Sequence, residues 1–475
     1  MRSAAICMGG LLINQTVGQL GSALLARWIP SASLYGALSL LLQLLNMAAL
    51  ALGLGLDNAV VYDVATGRPD AARGFVAARN GMVILAALPV ALCVVAAHWT
   101  ASAYGVPGLA GALRIGALVL FGQAALNATT ALQSGLRRFG AQMTLLVSAT
   151  ALAAAGRLAA LPLILHGASL GWVALAGGCG TLLAAVGGMR LARRSLPGPA
   201  SVRKWFLELP RMLRYGWPLW AGNLLKSFQQ PYLVLVAGGV GIAAAGYVSN
   251  DVALIGWPFL VTWAFRLVAV PLVAAAHEPT ARRERITLCF RLNHLALFPV
   301  VAVLCLWPHQ ILAAIYGARY AQDANILPLL ALGVYGSSVG RLTTDALAAV
   351  NQTKASLPIM GISSLPLLLG APLALAHGAL WLGGLYCVGW LASAAFAYTV
   401  LVRVGPGVSL RSAFLEPLLP TLCALPLGLW ATHSGGVVAV LATATVLVVM
   451  TVVVYQTDTW RGTVIGMAEA RAPSV

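Results

Sequence analysis

The sequence predicts an all-α protein that crosses a membrane many times, and three observations carry that prediction. Of the 475 residues, 60% are hydrophobic and only 9% charged, with a mean hydropathy of +0.88; no soluble globular class has this composition. Apolar windows of the ~20 residues a helix needs to cross the hydrocarbon core recur along the chain, separated by short polar breaks. The short alternating segments of a membrane β-barrel are absent. Finally, 29 Lys and Arg stand against 12 Asp and Glu, a net charge of +17, but the cations gather on alternate loops. That pattern follows the retention of basic loops on the cytoplasmic side, so the charge describes orientation in a membrane and not affinity for nucleic acid.

The hydropathy pattern places about fourteen spans, at 4–26, 34–57, 76–98, 109–131, 143–165, 168–189, 215–238, 244–276, 287–307, 326–349, 356–376, 379–401, 416–432 and 436–455. An inward N-terminus puts the cations outside the spans on the cytoplasmic side, Arg27 and Arg319 excepted. Both termini are therefore expected in the cytoplasm, with the chain in a bacterial inner membrane. The first apolar run continues to about Leu25 without a small-residue cleavage site and reads as an uncleaved span. Seven cysteines lie singly in apolar segments, as small hydrophobes rather than a redox pair. Scattered histidines show no metal-ligand spacing, and no metal or cofactor is expected.

The segment from Leu191 to Arg214 is basic, carries three prolines and divides six spans from the rest. It reads as a linker lying on the anionic inner leaflet. Across it the halves repeat: Asn14-Gln15-Thr16-Val17-Gly18-Gln19 lines up with Leu225-Lys226-Ser227-Phe228-Gln229-Gln230, and at the same offset Tyr35-Gly36 meets Gly246-Tyr247. An even number of spans separates the repeats, so they are parallel. The expected organisation is two six-helix lobes, 1–190 and 215–405, joined by the linker 191–214 and followed by two extra helices and a tail in 406–475. The outer loops are short, the longest running from His309 to Ala324.

A cation at membrane depth costs from about 2.5 to over 10 kcal/mol, which makes each one a functional candidate. Five fall within spans: Arg114, Arg157, Lys226, Arg266 and Arg341. Arg114 sits near the outer end of its helix, where it can snorkel. Arg266 is either a cavity residue or snorkels to the inner headgroups. Arg341 and Asp345, four apart on one helix face, either pair with each other or face substrate. Lys226 is close to mid-span, in a polar stretch with Asn223, Gln229 and Gln230, and Pro231 frees a backbone carbonyl there. Arg157 is equally deep. Gln15 and Gln19 give the first span a matching polar stripe, either cavity lining or glue between helices. The acidic residues Asp57, Asp251 and Asp345 are candidates for gating or coupling. A cavity lined by cations and amides suits a ligand with a phosphate or pyrophosphate and a polyhydroxyl head.

Several stretches resemble the polysaccharide (O-antigen type, Wzx-like) flippases of the MATE-like exporter superfamily. Ser33 to Arg68, beginning SLYGALSLLLQLL, is similar to that family's opening; ALQSGLRRFG (Ala131 to Gly140) resembles the turn between its fourth and fifth helices. YGWPLWAGNL (Tyr215 to Leu224) resembles the start of its second lobe, AGYVSND its following segment, and IYGARYAQDANILPLLALG (Ile315 to Gly333) its outer-loop signature. The resemblance implies two lobes forming a V, opened alternately to each face, and a non-enzymatic transporter that flips a polyprenyl-linked oligosaccharide outward using an ion gradient or the membrane potential. Membrane lipids, and glycan polymerase or glycosyltransferases, are the implied partners. A peptidoglycan-precursor flippase, also with fourteen spans and a cationic cavity, is the near alternative. A multidrug exporter of the same fold would place carboxylates where it binds organic cations, and a membrane glycosyltransferase or polymerase would show catalytic carboxylates or a large outer loop.

Overall fold

The computed structural model describes residues 2–66, 71–195, 202–263, 273, 278–349 and 356–404. In that set the secondary structure is helical. The first half comprises α1 (Arg2–Trp28), α2 (Ala32–Ala49), α3 (Leu56–Ala65), α4 (Ala71–Leu85), α5 (Ala87–Tyr104), α6 (Gly108–Gly116), α7 (Val119–Gly135), α8 (Phe139–Ala159), α9 (Leu161–Leu165) and α10 (Gly171–Ser195). The second comprises α11 (Leu209–Ser227), α12 (Gln229–Val240), α13 (Ile242–Leu254), α14 (Pro279–Leu306), α15 (Pro308–Tyr316), α16 (Ile326–Ala349), α17 (Ser356–His377) and α18 (Leu380–Val404). After a break at Ile255 the chain is helical again over 256–263.

Among the described residues, nine helical runs are long and apolar enough to cross a membrane: Ala32–Ala65, Ala71–Tyr104, Gly108–Gly135, Phe139–Leu165, Gly171–Ala192, Thr280–Leu306, Ile326–Leu347, Ser356–His377 and Leu380–Arg403. These are the second to sixth and ninth to twelfth spans expected from hydropathy. The first, seventh and eighth are helical over their described residues and fall outside that set; α1 is continuous, whereas the seventh and eighth are broken into shorter helices. The thirteenth and fourteenth spans and the C-terminal tail lie outside the described residues.

Three expectations need correction. The second span does not stop at residue 57. It kinks through Gly53, Leu54 and Gly55, all at positive φ, and resumes as α3, so Asp57 opens a helix instead of ending one. There its charge meets the positive end of the helix dipole. The expected outer loop from His309 to Ala324 is largely folded, into α15 and a 3-10 turn at Ala318–Tyr320. The basic linker is partly helical as well: α10 runs on to Ser195 and a 3-10 helix at Val202–Leu207 leads into α11.

Helix contacts concentrate in two groups. One centres on α8 and α10 with α1 and α7; the other centres on α18 with α16 and α17. Between them run α2 against α12 and α13, and α3 against α11. Glycine sets how closely these elements approach. A Cβ on Gly36 would sit 1.8 Å from the Ile242 carbonyl oxygen, and one on Gly246 would sit 3.2 Å from the Gly36 nitrogen. Gly36 and Gly246, one from each of the dipeptides that the internal repeat aligns, therefore pack on each other, backbone to backbone, where α2 meets α13. Lower on the same seam, a Cβ on Gly55 would lie 2.2 Å from the Gly216 carbonyl oxygen.

Candidate functional site

Polar residues of the first, seventh and eighth spans, Gln15, Gln19, Ser227, Gln230 and Ser249 among them, converge on the middle of the molecule. The seventh is broken at Phe228 between α11 and α12, and Pro231 has no N–H to offer the Ser227 carbonyl four residues back. The eighth is broken at Ile255, after α13. In the last turn of α13 the Ala253 carbonyl accepts from the side-chain amides of both Gln15, at 3.5 Å, and Gln19. Gly256 makes room for that contact, since a Cβ there would overlap the Gln15 amide.

Around these breaks lie three adjoining chambers. The first, of about 500 Å³, is lined by Gln43 and Asn46 of α2, Gln123 and Asn127 of α7, Arg157 of α8, Thr181 of α10 and Gln230 of α12. A second, of about 320 Å³, holds Gln15, Gln230, Phe259, Trp263 and Arg341. The third, of about 310 Å³, shares Arg157, Gln43, Asn46 and Gln230 with the first and Gln15 with the second, and adds Gln19, Tyr35 and Ser249. Gln230 lines all three. No carboxylate is among the described residues lining any of them.

Arg157 enters the first chamber because α8 and α10 approach closely. A Cβ at Gly177 would lie 2.8 Å from the Arg157 Nε, and one at Gly180 would lie 2.4 Å from the Leu152 backbone. The Nε is buried and has no hydrogen-bond partner among the described residues. A guanidinium N–H left unpaired in a polar chamber is a ready donor for an acidic ligand. Arg341, on α16, is stacked instead: its guanidinium carbon lies 4.8 Å from the Phe259 ring centre and 5.5 Å from that of Trp390. Cation–π contact of this kind holds a charge at low dielectric.

The remaining expected site residues divide. Gln15, Gln19 and Gln230 face the chambers. Gln229, one position away, is buried and donates to Ser363 at 3.1 Å and Ser364 at 2.8 Å, tying α12 to α17. Asn223 is exposed and lines none of the three chambers. Asp251 is buried on α13, and Asp345 lies on α16, one turn beyond Arg341. Arg114 is exposed near the end of α6. Lys226 occupies the last turn of α11, with its side chain outside the described residues, as is the whole of Arg266. Sequence reasoning missed Gln43, Asn46, Gln123 and Asn127. The available signal was their spacing, i to i+3 and i to i+4, which puts two amides on one face of an otherwise apolar helix. Within each pair the amides bond to each other, Asn46 to Gln43 at 3.1 Å and Gln123 to Asn127 at 2.9 Å.

Beyond the third chamber the α1–α15 contact closes. Arg27, near the end of α1, donates to the carbonyls of Ala314 and Ile315 in the last turn of α15, through Nε at 2.9 Å for Ile315. Arg319 answers, donating to Ile29 and Pro30 at 2.7 Å each and to Arg27 at 3.1 Å. Each arginine satisfies the carbonyls orphaned at a helix C-terminus, where a cation also suits the dipole. These are the two cations that broke the loop-charge pattern. Inside them the Tyr316 hydroxyl donates to Gln19 at 3.1 Å and the Tyr35 hydroxyl to Asn250 at 2.7 Å. The opposite end is held by Arg211 of α11 on Asp63 of α3, bidentate at 3.0 and 2.6 Å, and by Trp220 donating to the Leu50 carbonyl at 2.7 Å.

Helices throughout the described residues, two of the spans interrupted around a polar cavity that no described carboxylate lines, have the build of a membrane transporter. The polysaccharide biosynthesis protein family model matches residues 24–325, and the chain belongs to that family. Its fold is shared with a lipid II flippase, MurJ, solved in an inward closed conformation: TM-score 0.76 at 12% identity, covering 95% of this chain and 99% of that one. An inward-facing multidrug resistance MATE transporter matches at TM-score 0.62 and 15% identity, covering 89% and 99%. The eukaryotic MATE transporter AtDTX14 matches at 0.62 and 14%, covering 88% and 98%. A sequence search of curated proteins returns no match.

Proposed function

We propose that this protein is a flippase for an oligosaccharide carried on a polyprenyl phosphate or pyrophosphate, moving the polar head through the central chambers while the lipid tail stays in the bilayer. The observation that carries the reading is the Arg157 guanidinium, buried with an unsatisfied Nε, in a chamber of about 500 Å³ lined by amides and hydroxyls and by no carboxylate among the described residues. Arginine recognises phosphate by charge-assisted hydrogen bonds, and amides and hydroxyls bond the hydroxyls of a sugar. An organic-cation exporter needs the reverse charge. The polysaccharide biosynthesis family and the fold shared with a lipid II flippase support the same reading. Lipid II flippase activity is the second reading, since that relative gives the higher TM-score and its substrate is named in its title.

In this proposal the halves 1–190 and 215–405 are the two lobes of an alternating-access cycle, in a bacterial inner membrane with both termini cytoplasmic. The Arg27–Arg319 end is then the outer gate. Gln15, Gln19, Gln230, Arg157, Arg341 and Lys226 would contact substrate. Glycosyltransferases or a polymerase would supply or consume it.

The test is transport by purified protein in vesicles loaded with a polyprenyl pyrophosphate-linked oligosaccharide, read by how fast the sugar becomes accessible to an external sugar-modifying enzyme. Arg157→Ala removes charge-assisted bonds of about 1.5–3 kcal/mol each and is expected to slow flipping by about 10- to 100-fold, with Arg157→Lys in between. Wild-type rates in Arg157→Ala would sink the assignment. Running the same vesicles with lipid II separates the two readings.

A further inference from the structure

Asp251 has no role in the chambers, yet it is the most anomalous side chain in the molecule. It lies on α13, 1% exposed, and neither carboxylate oxygen has a hydrogen-bond partner among the described residues. No salt bridge is seen for it there. Among the described residues, the ionisable groups that interact with it electrostatically are the Tyr316 phenol on α15 and the Asp323 carboxyl in the loop that follows, and neither is a cation. On α2 the facing ionisable group is Tyr35, whose hydroxyl is spent on Asn250, the residue before Asp251. Asn250 is itself fully buried, and its Nδ2 has no hydrogen-bond partner among the described residues.

An ionised carboxylate in such a place is uncompensated, at a cost of several kcal/mol. The surroundings explain why it is tolerated. Asp251 sits among the contacts that close the outer end: Tyr35 to Asn250, Tyr316 to Gln19, and the reciprocal Arg27 and Arg319 caps beyond them. The cations of the seam, Arg27 and Arg319, are spent on backbone carbonyls, so among the described residues closing it supplies no positive partner for the carboxylate. Opening the seam would give it water.

We propose that Asp251 is the proton-binding site of the outer gate: it holds a proton while the seam is closed and gives it up when the seam opens to water. Proton release then favours the open gate and proton uptake the closed one, so the gate is coupled to the proton concentration on the side it faces. The proposal rests on the transporter reading, in that the seam must open during the cycle, but it requires nothing of the substrate. A ligand that binds one conformation better shifts the balance only by that difference, and a proton is such a ligand here.

The test places spin labels on either side of the seam, at Ser33→Cys and Gln322→Cys, both exposed positions, in full-length protein without other cysteines, reconstituted in vesicles without substrate. Distances are read at intervals from about pH 5 to about pH 8. The wild-type distribution should move to longer distances as pH rises. Asp251→Asn, a neutral isostere, should stay at the short distance throughout, and Asp251→Glu should recover the pH response. A wild-type seam indifferent to pH overturns the proposal, as does a response unchanged in Asp251→Asn. A response to sodium at constant pH, lost in Asp251→Asn, would overturn the proton and give the same carboxylate to sodium. Because no substrate is present, failure here leaves the flippase reading to its own assay.

Discussion

The two ends of the contact between the halves of this protein are closed by different chemistry. At one end, Arg27 and Arg319 each cap the carbonyl end of the other's helix, and two tyrosine hydroxyls bond side-chain amides between them. At the other, the joint is a bidentate ion pair in which Asp63 is 4% exposed and Arg211 is 41% exposed, together with the Trp220 hydrogen bond to the Leu50 carbonyl and a close glycine approach. The first end buries several polar contacts at once and opens only if they are lost together. The second concentrates its charge in one pair whose carboxylate is buried, so losing the guanidinium costs more than it would at an exposed pair. One closure is a set of hydrogen bonds to neutral acceptors; the other turns on an ion pair.

That contrast can be broken experimentally. Arg319→Ala removes three hydrogen bonds to the end of α1 and leaves those carbonyls unpaired. It is expected to expose Ser22→Cys, in the chamber just inside, to a water-soluble maleimide much faster than in otherwise wild-type protein. Labelling at an unchanged rate would mean that the caps do not hold the gate. Arg211→Ala at the other end takes the bidentate partner from a buried carboxylate and should lower thermal stability by more than the ~1 kcal/mol of an exposed pair, while leaving Ser22→Cys labelling as it was. If the two substitutions act equally, the asymmetry between the ends is wrong.

Much of the fold was legible in the sequence because the membrane imposes it. A span in lipid must be long, apolar and internally hydrogen-bonded, and hydropathy reads all three. The same reading singled out the first, seventh and eighth spans by their polar residues, and two of these prove to be broken helices. What it could not assign was direction. Gln229 and Gln230 are consecutive, and a helix turns them about 100° apart, so one reaches Ser363 and Ser364 while the other reaches the chambers. Asp63 and Arg211 stand 148 residues apart, and nothing local pairs them. Arg27 and Arg319 were visible as exceptions to the charge pattern, but the reason is tertiary: each serves the end of a helix distant in sequence. The second span ran past its expected end because apolar composition continues through the Gly53–Gly55 kink. Asp251 was visible as an acidic residue in a span, whereas its lack of a partner depends on every helix packed around it.

The central claim is that the chamber beside Arg157, lined by no carboxylate among the described residues, receives the phosphate-linked sugar. A photoactivatable amino acid at Asn46, which lines both the first and third chambers, tests it most directly, with one at Leu369, a 75% exposed residue of the apolar α17, as reference. The protein is irradiated with polyprenyl pyrophosphate-linked oligosaccharide, and attachment of the sugar is read by mass spectrometry. The account predicts capture of sugar at position 46, little at 369, and loss of capture at 46 when Arg157→Ala is added. Equal sugar capture at both positions, or capture at 46 that persists without Arg157, would contradict it.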